Sequence, residues 1–390
     1  MKKKIIIVNN NLKIGGIQKS LINLLNEIKN NYDITLLLFS DEGEYISYVP
    51  KEVKIKTASK IMQIIALDKY EVRKKGIIYT IIRTLFLLYT KLFNSYLPIK
   101  IITKLNKKII GYDCAISFLN SAGPKKFYGG CNEFVLDVIN ADKKITFIHC
   151  DFIKAGVSTA YTKRLYSKFD IIVACSEGCR RSFIQAMPEL KHKTKTVLNC
   201  INYDEVKELS NEEPIIYDKN FFNIITVARL SKEKGIDRAV AAVKECLDLG
   251  YFIKYHIIGD GPEKESLEKL TSDLGIGEHV IFYGKQINPY RFMKNADLFL
   301  LPSYHEAAPL VVEEAKCIGL PILSTETTSS KEMIIDANAG WVCENSLEGL
   351  KKYILHILDN KNELVQVKNH LLNKSFNNNL AVEQFDKIIN

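Results

Sequence analysis

The chain reads as an α/β protein built from two successive parallel-sheet units, and three observations predict it. Short unbroken apolar runs recur along all 390 residues, among them Ile5–Val8, Ile34–Phe39, Cys114–Phe118, Ile145–His149 and Ile171–Cys175. Helical or turn signals separate each run from the next. The pattern pauses over the polar stretch Asn202–Asn220 and then restarts at Ile224. Runs without polar alternation are buried on both faces, and only crossover helices on both sides of a parallel sheet achieve that.

In the first half, Ile5–Val8 leads through Gly15-Gly16 to an amphipathic helix around Ser20–Lys29. A further strand is expected at Lys195–Asn199. In the second half, Ile224–Val227 leads to a helix near Ile236–Leu249. Tyr255–Ile258 leads through Gly259-Asp260-Gly261-Pro262 to a helix ending near Leu274. Val280–Tyr283, Leu298–Leu301, Ile322–Ser324 and Gly340–Val342 complete the strands. The expected division is residues 1–202 and 203–374. Two Rossmann-like units facing a cleft would hold a ligand at the carboxyl ends of both sheets.

Composition narrows the class. Hydrophobic residues make up 47% and charged residues 25%, the proportions of a soluble globular protein. Residues 1–200 carry 33 Lys and Arg against 16 Asp and Glu, a net +17, whereas residues 201–390 carry a net −8. The basic half calls for an anionic partner: nucleic acid, acidic lipid headgroups or a phosphate-bearing substrate. Nine cysteines without a paired C-x-x-C framework read as reduced thiols. The apolar run after Met1-Lys2-Lys3-Lys4 is too short for a signal peptide, so a cytoplasmic location is expected.

Residues 77–97 are strongly apolar but are interrupted by Arg83 and Lys91. On one helix, Thr80, Arg83, Thr84, Thr90, Lys91, Asn94 and Ser95 fall within an arc of about 140°, opposite Phe86, Tyr89, Phe93 and Tyr96. Central charges exclude a spanning helix. Flanking lysines make residues 72–108 a candidate peripheral contact with an anionic membrane on its inner face, as against an ordinary packed helix.

The chemistry concentrates in the second half. In Pro302–Ser324, Glu306 and Glu314 are separated by seven residues, with a helix expected to start near Ala308, Pro309 and Leu310 and to end at Gly319-Leu320-Pro321. The start of such a helix offers free N–H groups and the positive end of its dipole, which suits a diphosphate. Glu314 is placed to accept from ribose hydroxyls, and Glu306 to reach those of a sugar. Upstream, Ala228-Arg229-Leu230-Ser231-Lys232-Glu233-Lys234-Gly235 puts two cations five residues apart on a strand-to-helix loop, where they can bracket a pyrophosphate.

These stretches resemble retaining glycosyltransferase family 4, which has the GT-B fold. Glu306 and Glu314 match its E-x7-E motif, although Ala307-Ala308 stands where the family usually has Gly and a bulky residue. The Arg229–Gly235 segment is similar to its G-R-L-x-x-x-K-G. The Ala-Ala-Pro version looks like that of enzymes of bacterial capsule and lipopolysaccharide assembly. The resemblance implies that Arg229 and Lys234 bind the donor phosphates. It also implies that Glu306, Ala308, Pro309 and Leu310 position the sugar, that Glu314 holds the ribose, and that Gly284 lies near the base. In the first half, Gly15 and Gly16 match a glycine pair at the donor and acceptor, and His149 and Asp151 match a His-x-Asp beside the donor sugar and acceptor. Cys175-Ser176-Glu177 and Asn199 match marks closing the first domain. The tail, about 375–390, is implied to return to that domain as a helix.

No two aspartates stand one residue apart, no His, Asp and Glu cluster has metal spacing, and no G-x-x-x-x-G-K-[ST] loop occurs. The expectation is a metal-independent hexosyltransferase with no cofactor, moving a sugar from a nucleotide diphosphate, UDP above all, to a glycan or lipid-linked glycan. Glu306, His149, Arg229 and Lys234 are its candidate catalytic groups. Two rivals are a non-hydrolysing nucleotide-sugar epimerase of the same fold and a nucleic-acid-binding module. The latter lacks an aromatic-basic signature, so no nucleic-acid partner is expected.

Overall fold

A computed structural model describes residues 2–390. The chain forms two compact units, Met1–Cys200 with Asn378–Asn390, and Ile201–Asn377.

Unit 1 holds strands β1 (Lys4–Asn9), β2 (Asp33–Leu38), β3 (Lys54–Thr57), β4 (Ile109–Ser117), β5 (Ile139–Ile148), β6 (Ile171–Ala174) and β7 (Thr194–Thr196). Unit 2 holds β8 (Phe222–Val227), β9 (Ile253–Ile258), β10 (Val280–Gly284), β11 (Leu298–Leu301), β12 (Ile322–Thr325) and β13 (Gly340–Cys343). The sheet orders are β3-β2-β1-β4-β5-β6-β7 and β10-β9-β8-β11-β12-β13, and the paired strands run parallel. Each order reverses once, between β1 and β4 and between β8 and β11. Loops leaving the carboxyl ends of strands beside such a reversal diverge and leave a crevice.

Each sheet is covered on both faces. In unit 1, alternate residues of β1 divide between two cores: Ile6 and Val8 lie in one, Ile5 and Ile7 in the other. Unit 2 repeats this with Ile224 and Ile225 on opposite sides. This two-sided burial is the reason the strands read as unbroken apolar runs.

Three expectations change. The stretch 202–220 is not wholly a linker: Asn202 caps a helix, Tyr203–Asn211, whose Val206 packs into the unit 2 core. Strand β3, with its exposed face, has no apolar signal. Residues 77–97 are not one helix but two, Ile77–Leu92 and Tyr96–Lys104. Part of the polar arc leans on the protein: Arg83 Nε donates to the Ile64 carbonyl at 3.2 Å and Thr90 is buried, whereas Thr84 and Lys91 are exposed. From the opposite arc Phe86 also turns inward, onto Phe127. The outward face is aliphatic instead. A helical wheel separates two sides but does not say which one the core covers.

The tail forms helix Asn379–Ile389, returned to unit 1. Phe385 is fully buried among Leu21, Leu25 and Ile28, and the Tyr32 hydroxyl donates to Asp386 at 2.6 Å. Phe385→Ala is expected to lower the stability of unit 1 by about 3–5 kcal/mol, read as an earlier unit 1 transition in urea.

Candidate functional site

The loops that leave β8 and β11, on either side of the reversal in unit 2, hold the charged groups singled out in the sequence. After β8, Ala228–Ser231 runs into a short 3-10 turn at Lys232–Lys234 and then helix Ile236–Asp248. After β11, Pro302–Pro309 runs into helix Leu310–Cys317. Lys234 Nζ lies 2.5 Å from Glu306 Oε1, and the Ser303 hydroxyl donates to the same oxygen at 2.8 Å. Two groups 72 residues apart in sequence thus form one partly buried ion pair. A ligand anion approaching Lys234 has to compete with this carboxylate. Arg229 is exposed on the same loop, and Glu314 is buried on the helix that follows.

The loops are locked by groups that sequence reasoning missed. Arg238 is only 6% exposed, and its Nε and Nη2 both donate to the Pro302 carbonyl, at 2.9 and 2.5 Å. Its guanidinium lies 4.0 Å from the centre of the Tyr304 ring, a favourable stack for a delocalised cation. Burial pulls the guanidinium below its ordinary value. Gly235 adopts φ 61°, and a Cβ there would stand 2.2 Å from the Pro302 carbonyl oxygen, so only glycine lets the two loops meet this closely. On the wheel Arg238 lies off the apolar stripe of its helix. Nothing in the sequence signals that a loop 64 residues away covers it.

The glycine turn after β9 has a structural task. A Cβ on Gly259 would fall 1.8 Å from the Ala228 carbonyl oxygen, and Leu230 N donates to the Asp260 carbonyl at 3.0 Å. The turn therefore buttresses the Arg229 loop. Gly284 carries φ 67°, has open space where a Cβ would stand, and accepts from Gly259 N at 2.9 Å.

In unit 1, Gly16 is the first residue of helix Gly16–Ile28, and a side chain added there would meet nothing within 4 Å. Gly15 precedes it in extended backbone. His149 follows β5, with β4 lying between it and the β1 loop. Its ring packs on Phe118 and Phe147 at 4.7 and 5.9 Å. Burial pushes the imidazole down to about 4, so it is neutral at neutral pH. Its Nε2 is buried without a hydrogen-bond partner. Asp151 does not stand free: its Oδ1 accepts from Ile153 N, Lys154 N and the Ser182 hydroxyl at 3.1, 3.0 and 2.7 Å. This carboxylate shapes the turn after His149.

Arg238→Met strands the Pro302 carbonyl and removes two charge-assisted bonds. It is expected to cost unit 2 roughly 2–4 kcal/mol in urea unfolding, with Arg238→Lys recovering part of the loss.

Known proteins resemble this chain in sequence and in fold. An uncharacterized glycosyltransferase of Methanocaldococcus jannaschii is 30% identical over 177 residues, 44% of each chain. The Campylobacter jejuni N-acetylgalactosamine-N,N'-diacetylbacillosaminyl-diphospho-undecaprenol 4-alpha-N-acetylgalactosaminyltransferase is 25% identical over 235 residues, 57% of this chain and 58% of that one. The chain thus spans less than two thirds of the length of these relatives. Anabaena HepE, solved in complex with UDP and glucose, superimposes with a TM-score of 0.70 at 16% identity, over 99% of this chain and 98% of that one. The two-unit architecture is accordingly the GT-B fold. Residues 206–371, most of unit 2, match the family described as Glycosyl transferases group 1.

Proposed function

We propose that the protein is a metal-independent, retaining hexosyltransferase that takes a sugar from a nucleotide diphosphate, preferentially a UDP-sugar, in bacterial surface-glycan synthesis. One observation carries the reading: Lys234 and Glu306 meet on the loops that leave β8 and β11, the first of which also bears Arg229 and the second of which leads into the helix bearing Glu314. In this reading Arg229 and Lys234 hold the diphosphate and stabilise the charge that gathers on it as the sugar departs. The donor displaces Glu306 from Lys234, and the freed carboxylate turns to the sugar hydroxyls. Glu314 holds the ribose, and Ala308, Pro309 and Leu310 line the sugar. Neutral His149 offers its unpartnered Nε2 to a hydroxyl of the donor sugar or acceptor. The departing phosphate takes the acceptor's proton on the face from which it leaves, so no side-chain nucleophile is assigned.

Calorimetric titration tests this directly. UDP binds with EDTA present, ADP and GDP bind more weakly, and Lys234→Met and Arg229→Met each weaken UDP by about 10–100-fold, as expected for one lost charge-assisted contact. Absence of heat with UDP refutes the reading.

The acceptor is proposed to be a glycan or lipid-linked glycan. Among the described residues no helix is long and apolar enough to cross a membrane. Helix Ile77–Leu92 nevertheless presents Ile77, Ile78, Ile81, Leu85, Leu88 and Leu92, each more than half exposed. They occupy an arc of about 100°. Exposed lysines flank the ridge at Lys74, Lys91, Lys100 and Lys104. Sinking such a ridge into a bilayer interface gains on the order of 5 kcal/mol, with about 1 kcal/mol per adjacent lysine on an anionic surface. The wild type is expected to sediment with phosphatidylglycerol vesicles at low salt. Leu85→Ser/Leu88→Ser is expected to abolish this while UDP affinity stays unchanged, and equal sedimentation of both proteins rejects the contact.

A further inference from the structure

Glu133, in helix Cys131–Asp137 of unit 1, is only 5% exposed. Tyr161 donates to its Oε1 at 3.1 Å and its own backbone N–H, in the first turn of the helix, also favours the carboxylate, while Asp137 opposes it with like charge. Burial pushes this carboxyl up. A buried carboxyl without a cation is costly, and such groups concentrate where they serve a ligand. This one lines a narrow recess together with Ser95, Tyr96, Ser121, Tyr128 and Tyr161.

The walls are preset. Tyr96 and Tyr161 stack with ring centres 3.9 Å apart and planes 10° apart, and the Tyr96 hydroxyl is bonded to that of Thr159 at 3.0 Å. Ser121 is held by the Tyr166 hydroxyl on its N–H and by Asn132 Nδ2 on its Oγ, at 3.1 and 3.0 Å. Asn132 is fixed in turn by Thr146 at 2.7 Å. The place in the fold is equally specific. Asn120, next to Ser121, accepts from the His149 backbone at 3.2 Å. Ser95 and Tyr96 follow directly on the helix that carries the aliphatic ridge.

The chemistry selects the occupant. A carboxyl without a cation repels phosphate. Hydroxyls and tyrosine faces suit a neutral polyhydroxylated ring. The centre of the recess has room for one water-sized group, so it takes a single projecting substituent while the ring stays outside, against half-exposed Tyr128.

We propose that this recess is an acceptor subsite, in which one hydroxyl of a neutral sugar donates to Glu133. The proposal rests on the glycosyltransferase reading and deepens it, since it names what the acceptor has to present beside His149. A site built to pair a hydroxyl discriminates strongly against a ligand lacking it.

Saturation-transfer NMR on the full chain with UDP bound, against methyl glycosides of glucose, galactose and N-acetylglucosamine, tests it. At least one glycoside binds the wild type. Glu133→Gln weakens it by about tenfold or more, and so does Ala122→Phe, which fills the recess from another residue that lines it. UDP affinity stays the same in both variants, and an unchanged unit 1 transition in urea shows that unit 1 is folded in each. The proposal is overturned if no glycoside binds, if both variants bind like the wild type, or if binding is lost in Glu306→Ala but kept in Glu133→Gln. Loss of UDP binding by the wild type would instead remove the parent reading, so the two failures are distinguishable.

Discussion

The constraint on which the rest depends is the reversal of strand order in each parallel sheet. Parallel strands need long crossovers, and the crossovers part company where the order turns. The loops at that point are the ones not covered by a neighbouring helix. In unit 2 those loops follow β8 and β11, and they bear Arg229, Lys234 and Glu306. In unit 1 they follow β1 and β4, with His149 at the end of the next strand.

Charge in unit 2 is arranged for exchange. Lys234 is neutralised by Glu306 while no ligand competes, which limits the cost of holding a cation in a partly buried position. In the proposed function an incoming diphosphate would replace one anion by another, and the released carboxylate would lie close to the sugar that the phosphate carries. Arg238 makes this possible without joining in. It takes the Pro302 carbonyl in a two-pronged grip and stacks on Tyr304, so the Glu306 loop is rigid at its root.

Unit 1 solves a different problem. It has a net positive half-sequence and an aliphatic ridge outside, yet its interior recess holds an uncompensated carboxyl. A partner with an anionic, lipid-borne part and a neutral sugar part matches both features at once. Asp151 Oδ1 holds the turn after His149 through Ile153 N and the Ser182 hydroxyl.

The sequence by itself determined the two parallel sheets, because burial on both faces leaves uninterrupted apolar runs that no half-exposed strand would show. It also determined the charged loops and the helix that starts near Leu310, because strand, turn and cap signals are local. It did not contain the β3 edge strand, the break at Phe93–Ser95 or the outward turn of the aliphatic ridge, since each depends on what packs against the segment. The Lys234–Glu306 pair, the grip of Arg238 on Pro302 and the burial of Glu133 were decided by tertiary structure alone. Each joins or covers residues distant along the chain, and local physical rules carry no information about which distant loop arrives.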